Sequence, residues 1–286
     1  MRRLVPYWLL APGALWLILF FVVPMYFMAE LALRSGTFSS GYVSGFQLSN
    51  FSDSLAGNEE QIIRSFKYAG LATFFALLIA YPLAYAIARA SSRWRLFLLF
   101  AVMAPFFTTY LIRTIAWQTI LADESPIVDA LKVVALVPDG GRVLDTPSAV
   151  IAGLTYNFMP FMILPIYASL ERLDMRLVEA AKDLYSSSRQ AFLKVTLPIS
   201  APGIVAGVLL TFIPAFGDYI NAEILGGTGQ AMIGNKIQSL YLEQNNYPEA
   251  AALSFLMMAL ILIVVLVYIR IAGTGAFMED EEAAAK

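Results

Sequence analysis

The hydrophobic positions of this chain fall into long continuous runs instead of short alternating patterns. A helix needs about 20 predominantly apolar residues to cross the hydrocarbon core of a membrane. Six runs approach that length: residues 7–29, 65–88, 96–121, 147–170, 203–225 and 250–271. Pro82, Pro105 and Pro214 lie inside three of them, but neighbouring helices can satisfy the carbonyls that a proline leaves free. The pattern therefore predicts an all-α membrane protein with six transmembrane helices in a single domain, residues 1–286.

The distribution of basic residues predicts the orientation of these helices. The first run follows Arg2 and Arg3 but is too long for a signal peptide, and no small-residue cleavage site follows it. If the N-terminus lies inside, most of the 19 Lys and Arg residues fall in inside segments, as membrane proteins prefer. We therefore expect a multi-pass protein of a prokaryotic plasma membrane with both termini cytoplasmic.

Composition supports the membrane assignment and excludes much catalytic chemistry. Hydrophobic residues make up 59% of the chain and charged residues 14%, against about 45–50% and 25% in soluble domains. The chain contains no Cys and no His, which excludes disulfides, thiol nucleophiles, zinc sites with N or S ligands, and His acid–base catalysis. A net charge of −2 gives no overall basic surface for nucleic acid. We predict no catalytic residue, no metal site and no nucleic-acid partner.

The cytoplasmic segment of about residues 171–198 is polar and basic, unlike its surroundings. Its apolar residues recur at helical spacing with charges largely between them: Leu173, Leu177, Ala180, Ala181 and Leu184. This spacing predicts an amphipathic helix, followed by a turn at the serines 186–188 and a second helical piece, residues 189–195. Periodicity alone leaves two interpretations open, a helix lying on the lipid surface and a docking element for a cytosolic partner.

The same segment carries a recognisable motif. Glu179-Ala180-Ala181 is followed, at matching spacing, by Val195-Thr196-Leu197-Pro198. This pattern resembles the E-A-A motif of the membrane permease subunits of type I ABC importers. Tyr185 stands where that family usually has Gly, and Tyr rarely adopts the positive φ that Gly permits. The resemblance implies the type I permease fold, with a cytoplasmic coupling helix between the fourth and fifth spans.

The resemblance extends along nearly the whole chain. The stretches "APFFTTYLIRT", "PGIVAGVLL" and "IGNKIQ" are similar to the spermidine/putrescine permeases of that group, which implies a small cationic cargo. It further implies an ABC ATPase dimer in the cytoplasm, a second and different permease, and an extracytoplasmic solute-binding protein. The residues implied to contact the ATPase are Glu179, Ala180, Ala181, Asp183 and Tyr185. ATP and Mg would bind to that ATPase, and this chain would bind no cofactor. Its stretch "GQAMIGNKI" has the glycine spacing of a phosphate-binding loop but lacks the Lys and the Ser/Thr that such a loop requires.

Polar residues inside the predicted spans are candidates for the transport pathway, because charges in a membrane are costly. Arg113 in the third span is a possible intramembrane charge partner, or it extends to the outer headgroups. The fifth span ends in Asp218, Tyr219, Asn221 and Glu223, and carboxylates with aromatic rings suit the ammonium groups of a polyamine. Alternatively these residues form an outer gate without substrate contact.

The fourth span has a polar group near its centre, formed by Tyr156 and Asn157 beside Thr155. These side chains either line the pathway or join helices by hydrogen bonds.

Taken together, the residues favour the permease subunit of an ATP-driven importer, most consistent with a polyamine as cargo. One alternative is an importer permease for another small solute. A second is an ion-coupled secondary transporter, which requires buried titrating carboxylates and no partner. A third is a membrane enzyme, which would need a catalytic cluster that is not visible in the sequence.

Overall fold

A computed structural model describes residues 5–134, 138, 141–184 and 187–272, and these residues are mostly helical. In chain order the elements are α1 (Val5–Leu17), a π-helical turn (Ile18–Val22), α2 (Val23–Ala32), β1 (Ser35–Thr37), β2 (Gly41–Val43), α3 (Ser49–Ala56), α4 (Glu59–Arg89), α5 (Ser92–Met103), a 3-10 turn (Ala104–Phe107), α6 (Tyr110–Ile120), α7 (Pro126–Val133), α8 (Pro147–Glu171), α9 (Met175–Asp183), α10 (Ser188–Ala191), a π-helical turn (Phe192–Thr196), α11 (Leu197–Phe216), α12 (Ile220–Gly226), a 3-10 turn (Thr228–Gln230), α13 (Ile233–Gln238), a π-helical turn (Ser239–Glu243) and α14 (Tyr247–Ala272).

The membrane-crossing helices agree with the predicted number of spans. Within the described residues, five helical segments are long and apolar enough to cross a membrane: Leu10–Ala32, Glu59–Arg89, Pro147–Glu171, Ser188–Phe216 and Tyr247–Ile271. A sixth crossing is formed if Ser92–Phe107 and Tyr110–Ile120, which meet at an angle of 95°, are one broken span. The all-α class is confirmed apart from the small hairpin of β1 and β2.

The third predicted span, residues 96–121, is not one continuous helix. After the 3-10 turn that contains Pro105, Thr108 and Thr109 have extended backbones with ψ of 146° and 148°. Proline lacks the N–H that would continue the helical bonds, and two extended residues then redirect the chain. Pro105 lies within the predicted span, but the helix breaks three residues after it, at Thr108.

The fifth predicted span, residues 203–225, is also different in the structure. The helix already begins at Ser188, since α10, the π-helical turn and α11 are continuous. It ends at Phe216 with Gly217 as its C-cap, and α12 starts separately at Ile220. The predicted second helical piece, residues 189–195, is therefore the start of this long helix.

Two compact units can be distinguished, and the first combines the chain up to residue 59 with residues 236–262. In it, β1 pairs antiparallel with β2, with Gly36 opposite Tyr42. Ala32 is buried beside Ala251 and Ala252 at the start of α14, with Phe51 of α3 against the same cluster. Small residues here let α2 and α14 approach closely.

The second unit comprises residues 60–235 with the end of α14. One face of α4 consists of alanines and faces the larger apolar residues of α8. The buried cluster contains Ala76, Ala80, Ala84, Ile87, Met162, Ile163, Ile166, Tyr167 and Leu170. Because the alanines recur every four residues, they form a narrow stripe that is complementary to the large side chains of α8. The prediction of one domain stays a prediction.

Two glycines show that α8 and α11 pack closely against each other. Gly203 and Gly207 are four residues apart on α11, the small-xxx-small spacing of close membrane helix pairs. A Cβ at Gly203 would lie 2.5 Å from the Pro165 carbonyl oxygen, and one at Gly207 would lie 2.8 Å from Met162 Sδ. At Gly203 the obstacle includes backbone, so only glycine lets the two helices pack at this distance there.

Candidate coupling helix and intramembrane polar site

The predicted amphipathic helix exists as α9, but its buried face differs from the predicted one. Leu173 is buried and Ala181 partly buried as expected, whereas Leu177, Ala180 and Leu184 are exposed and Val178 is buried instead. Asp174 caps its N-terminus, with its carboxylate accepting from the Arg176 N–H at 2.9 Å. Val178 and Ala181 of α9 pack with Ala191 and Val195 at the base of the long fifth helix. An amphipathic helix lying on lipid would need this face for the bilayer, so the packing favours the docking interpretation.

The opposite face of α9 is open. Of the predicted contact residues that the structure describes, three are exposed: Glu179, Ala180 and Asp183. The fourth, Ala181, is partly covered. Leu177 is 51% exposed and Leu184 79% exposed, which gives this face apolar area between its charges. Tyr185, the fifth predicted contact residue, lies outside the described residues.

The helix α10 begins with a capping box that sequence analysis did not identify. The Ser187 hydroxyl accepts from the Gln190 N–H at 3.3 Å, and the Gln190 side chain accepts from the Ser187 N–H at 3.1 Å. The Ser-x-x-Gln spacing is a known signal for such a start. A π-helical turn follows, in which the Leu197 N–H bonds to the Phe192 carbonyl. α10, this turn and α11 thus form one continuous helix, and α9 packs against its first turns.

Three of the predicted pathway residues meet in one buried polar network between α6, α8 and α12. Asp218, Asn221 and Asn157 are all buried. The Asn157 amide donates to Asn221 Oδ1 at 3.0 Å, and the Asn221 backbone N–H donates to Asp218 Oδ1 at 2.8 Å. Such bonds across helices satisfy polar groups that would otherwise be costly inside a membrane protein.

Two members of this network were missed in the sequence analysis. The Tyr110 hydroxyl donates to Asp218 Oδ2 and accepts from the Asn221 amide. The Thr114 hydroxyl accepts from the Asn157 amide at 3.2 Å. Tyr110 and Thr114 are four residues apart on α6, so they share one face of that helix. Their polar character at helical spacing was the available signal, although nothing local identified their partners.

The other two predicted residues of this segment are turned outward. Tyr219 is 40% exposed, and Glu223, one helical turn further along α12, is also exposed. The Tyr219 carbonyl accepts from the Glu223 N–H at 3.0 Å and from the Asn235 amide at 2.8 Å. The buried network on one side of α12 therefore holds the helix while an aromatic ring and a carboxylate remain accessible on the other.

Tyr156 is separate from this network. Its ring contacts Trp117 edge-on, with centroids 5.3 Å apart. It borders an open apolar groove of about 430 Å³ between α4, α6 and α8, and a second one of about 290 Å³ beside α5. The polar group predicted in the fourth span is thus divided, since Asn157 joins helices and Tyr156 lines a groove.

Arg113 is buried, with only 9% of its surface exposed. Its guanidinium carbon lies 4.3 Å from the centroid of Phe106 and 5.6 Å from that of Tyr110. In the described part of the chain it makes no ion pair with a carboxylate, so the predicted charge pairing is not observed there. Instead the guanidinium stacks on aromatic rings across the bend between the 3-10 turn and α6.

The described residues contain no group of three or more Asp and Glu side chains that could hold a metal ion. The carboxylates are distributed among surface ion pairs, such as Arg95 with Glu171 at 3.0 Å, and the buried Asp218. The described residues therefore present α9 with exposed carboxylates and, separately, an accessible acidic and aromatic surface on α12.

Comparison with known proteins gives close relatives over most of the chain. It is 35% identical over 256 residues to the spermidine/putrescine transport system permease protein PotB of Haemophilus influenzae, which covers 89% of this chain and 90% of the relative. The PotB protein of Escherichia coli K12 is 34% identical, with 89% and 93% covered.

Solved structures share the fold at lower identity. A chain of a bacterial ABC transporter involved in the import of the acidic polysaccharide alginate matches with a TM-score of 0.67 at 20% identity, covering 95% of this chain and 96% of that one. A chain of the MetNI methionine ABC transporter matches with a TM-score of 0.56 at 17% identity, covering 74% and 93%. A family model matches residues 3–274. This chain therefore belongs to the family described as the binding-protein-dependent transport system inner membrane component.

Proposed function

We propose that this chain is the permease subunit of an ATP-driven polyamine importer and that it forms the pathway together with a second permease. The observation that carries this proposal is α9, a short helix fixed by Val178 and Ala181 to the base of α11, with its carboxylates facing outward. The cargo is supported by the relatives, which are named as spermidine/putrescine permeases.

Glu179 and Asp183 supply the charge contacts to an ATPase, and the small Ala180 lets its surface approach the helix backbone. ATP and Mg are bound by that ATPase and not by this chain. When two ATPase subunits close on ATP, the displacement of α9 passes into α11, because α9 packs on Ala191 and Val195, which belong to the continuous helix that runs into α11. Rigid-body motion of a packed element is an established means of coupling.

The exposed side of α12 provides the cation surface. Ser188–Phe216 has 29 residues, or about 44 Å of helix, which exceeds the roughly 30 Å hydrocarbon core. With the basic segments inside, α12 therefore lies at the extracytoplasmic end of the span. Glu223 offers a charge-assisted hydrogen bond to an ammonium group, and Tyr219 offers the face of its ring. Asp218, Asn221 and Asn157 position α12 for this contact.

The assembly follows from this orientation. Both termini lie in the cytoplasm of a prokaryotic cell, where the ATPase dimer binds α9. A solute-binding protein delivers the polyamine to the outer surface. A second, different permease completes the pathway. The open groove beside Tyr156 faces that partner or the lipid.

The proposal is tested by purifying the chain from its native membrane in mild detergent and identifying the copurifying proteins by mass spectrometry. We expect an ATPase and a second six-span protein. A chain that is consistently purified alone would contradict the proposal and favour an ion-coupled secondary transporter.

The role of α9 is tested by Glu179→Lys in the reconstituted transporter. Because an exposed charge is reversed without a buried contact being lost, we expect normal folding but loss of both uptake and stimulated ATP hydrolysis. Asp129→Lys, a reversal on the exposed surface of α7, is the matched control. Normal uptake and stimulated hydrolysis by Glu179→Lys would exclude the assigned contact.

The cation surface is tested by Glu223→Gln and Asp218→Asn. Losing a hydrogen bond to a charged group costs about 1.5–3 kcal/mol, so we expect the maximal rate of polyamine uptake to fall about tenfold or more in Glu223→Gln. Asp129→Asn serves as the control for loss of one acidic charge. If both variants transport with unchanged kinetics, neither residue belongs to the pathway.

A further inference from the structure

The end of α4 that carries Tyr81 and Tyr85 contacts the π-helical turn Phe192–Thr196, against which α9 packs, through a cluster of aromatic rings. The Phe192 ring lies 5.7 Å from that of Tyr81 at an interplanar angle of 88°, and 6.3 Å from that of Tyr85 at 79°. Both arrangements are edge-to-face, a favourable geometry for aromatic pairs. Tyr81 and Tyr85 are one turn apart on α4, so they hold one Phe192 ring between them.

Polar contacts fix this cluster from both sides. The Tyr81 hydroxyl and Ser200 Oγ lie 2.9 Å apart, and the Ser200 hydroxyl lies 3.1 Å from the Leu197 carbonyl that it donates to. Since a serine has one hydroxyl proton, Tyr81 is the donor to Ser200. On the other side, Arg89 donates to the Tyr85 hydroxyl and stacks on its ring at 4.7 Å.

The residues beside Phe192 hold α9. Ala191, immediately before it, and Val195, within the π-helical turn, pack against Val178 and Ala181 of α9. Phe192 itself is turned to α4. The turn Phe192–Thr196 therefore has one face against the proposed coupling helix and an adjacent face against the second membrane span.

A regular α-helix would present these faces differently. The bond from the Leu197 N–H to the Phe192 carbonyl spans five residues instead of four, so the π-helical turn widens the helix at this position. Such turns are frequent at functional sites. Here the wide turn lets Phe192 contact α4 while Val195, in the same turn, packs against α9.

We propose that the π-helical turn Phe192–Thr196 passes the displacement of α9 to α4 as well as to α11, and that Phe192 is the positioning residue of this link. The inference rests on the proposed role of α9. It extends that role to α4, the second span. α4 contains no residue of the segment 171–198, and the Phe192 ring passes the displacement of α9 to it.

The test uses the complete transporter, reconstituted with its ATPase, second permease and binding protein. We measure uptake per ATP hydrolysed for Phe192→Ala, with Leu193→Ala as the matched control, because Leu193 is the adjacent exposed residue. Removing two aromatic contacts is expected to lower the ratio about tenfold in Phe192→Ala, with assembly and ATP hydrolysis retained and the control unchanged. An unchanged ratio in an assembled Phe192→Ala complex would overturn the inference.

A second comparison applies if Phe192→Ala does not assemble. Phe192→Tyr keeps the ring, whereas Phe192→Leu keeps apolar volume without it. We expect the coupling ratio of Phe192→Tyr to stay within about twofold of the wild type and that of Phe192→Leu to fall, and equal ratios would overturn the inference. A wild-type complex in which hydrolysis and uptake are not linked would contradict the proposed function itself, which distinguishes the two failures.

Discussion

Replacing Gly203 with alanine places a methyl group in the closest contact between α8 and α11. Its Cβ would lie 2.5 Å from the Pro165 carbonyl oxygen and 2.5 Å from Ser169 Oγ. Ordinary C···O contacts are about 3.3–3.6 Å, so the helices must separate by nearly 1 Å at this point. The serine can rotate away, but the carbonyl belongs to the backbone of α8. Overpacking of this kind costs about 1–3 kcal/mol.

Gly70→Ala is the matched control, because a Cβ at Gly70 would meet no atom within 4 Å. Both glycines lie inside helices, so both alanines gain the same helix propensity, about 1 kcal/mol. The difference between the two variants therefore measures the steric term alone. We expect Gly203→Ala to be less stable than Gly70→Ala by about 1–3 kcal/mol.

Thermal unfolding of the purified chain in detergent measures this difference. A change of 1 kcal/mol shifts the Tm of a chain of this size by about 2–4 °C, so Gly203→Ala should melt several degrees below Gly70→Ala. Far-UV circular dichroism before heating confirms that both variants are folded. If Gly203→Ala melts at or above the temperature of Gly70→Ala, the close packing of α8 on α11 is refuted.

Three further predictions follow from the contacts. Arg113 makes no ion pair among the residues that the structure describes, so the loss of stability in Arg113→Leu should stay below about 2 kcal/mol, the upper range for a cation–π contact. A loss above about 4 kcal/mol in thermal unfolding would show that Arg113 has a charged partner. Asn157→Leu leaves Asn221 Oδ1 without its amide donor, and a loss of about 1–3 kcal/mol is expected; unchanged or increased stability in thermal unfolding would contradict a role in joining α8 to α12. Leu177→Ala removes an exposed side chain, so stability should change by less than about 0.5 kcal/mol while retention of the ATPase on affinity purification decreases; equal retention would exclude Leu177 from the docking surface.

Hydropathy was sufficient to locate the membrane helices because each crossing is a long apolar run. The first, second, fourth and sixth predicted spans lie within the helical segments of the structure. The helical spacing of apolar residues between Leu173 and Leu184 similarly predicted a helix here, which is α9. It did not identify Val178 as the residue that is buried. These are local features, and local sequence is enough to identify them.

The breaks in the third and fifth spans were harder to predict because they depend on single backbone angles. Pro105 marked the correct region, but the bend is made by the extended Thr108 and Thr109, residues that are not helix breakers by type. Gly217 ends α11, yet an apolar run continues past it to Leu225, so hydropathy extended the helix too far.

The polar network could be predicted only in part. Asp218, Asn221 and Asn157 were identified because polar groups in an apolar run are costly. Their partners Tyr110 and Thr114 are 108 and 43 residues away from Asp218 and Asn157. Which side chains meet across helices is determined by packing, and nothing in the local pattern distinguishes a residue that joins helices from one that lines a pathway.

The packing of α8 on α11 also has an evolutionary consequence. At Gly207 the nearest atom to an added methyl group is a side-chain atom, Met162 Sδ at 2.8 Å, with the Met162 carbonyl oxygen next at 3.1 Å. A smaller residue at 162 therefore removes the larger part of the clash caused by alanine at 207. At Gly203 one obstacle is the Pro165 carbonyl, which no substitution on α8 removes. Among homologues, positions 207 and 162 should therefore covary, whereas position 203 should stay invariant.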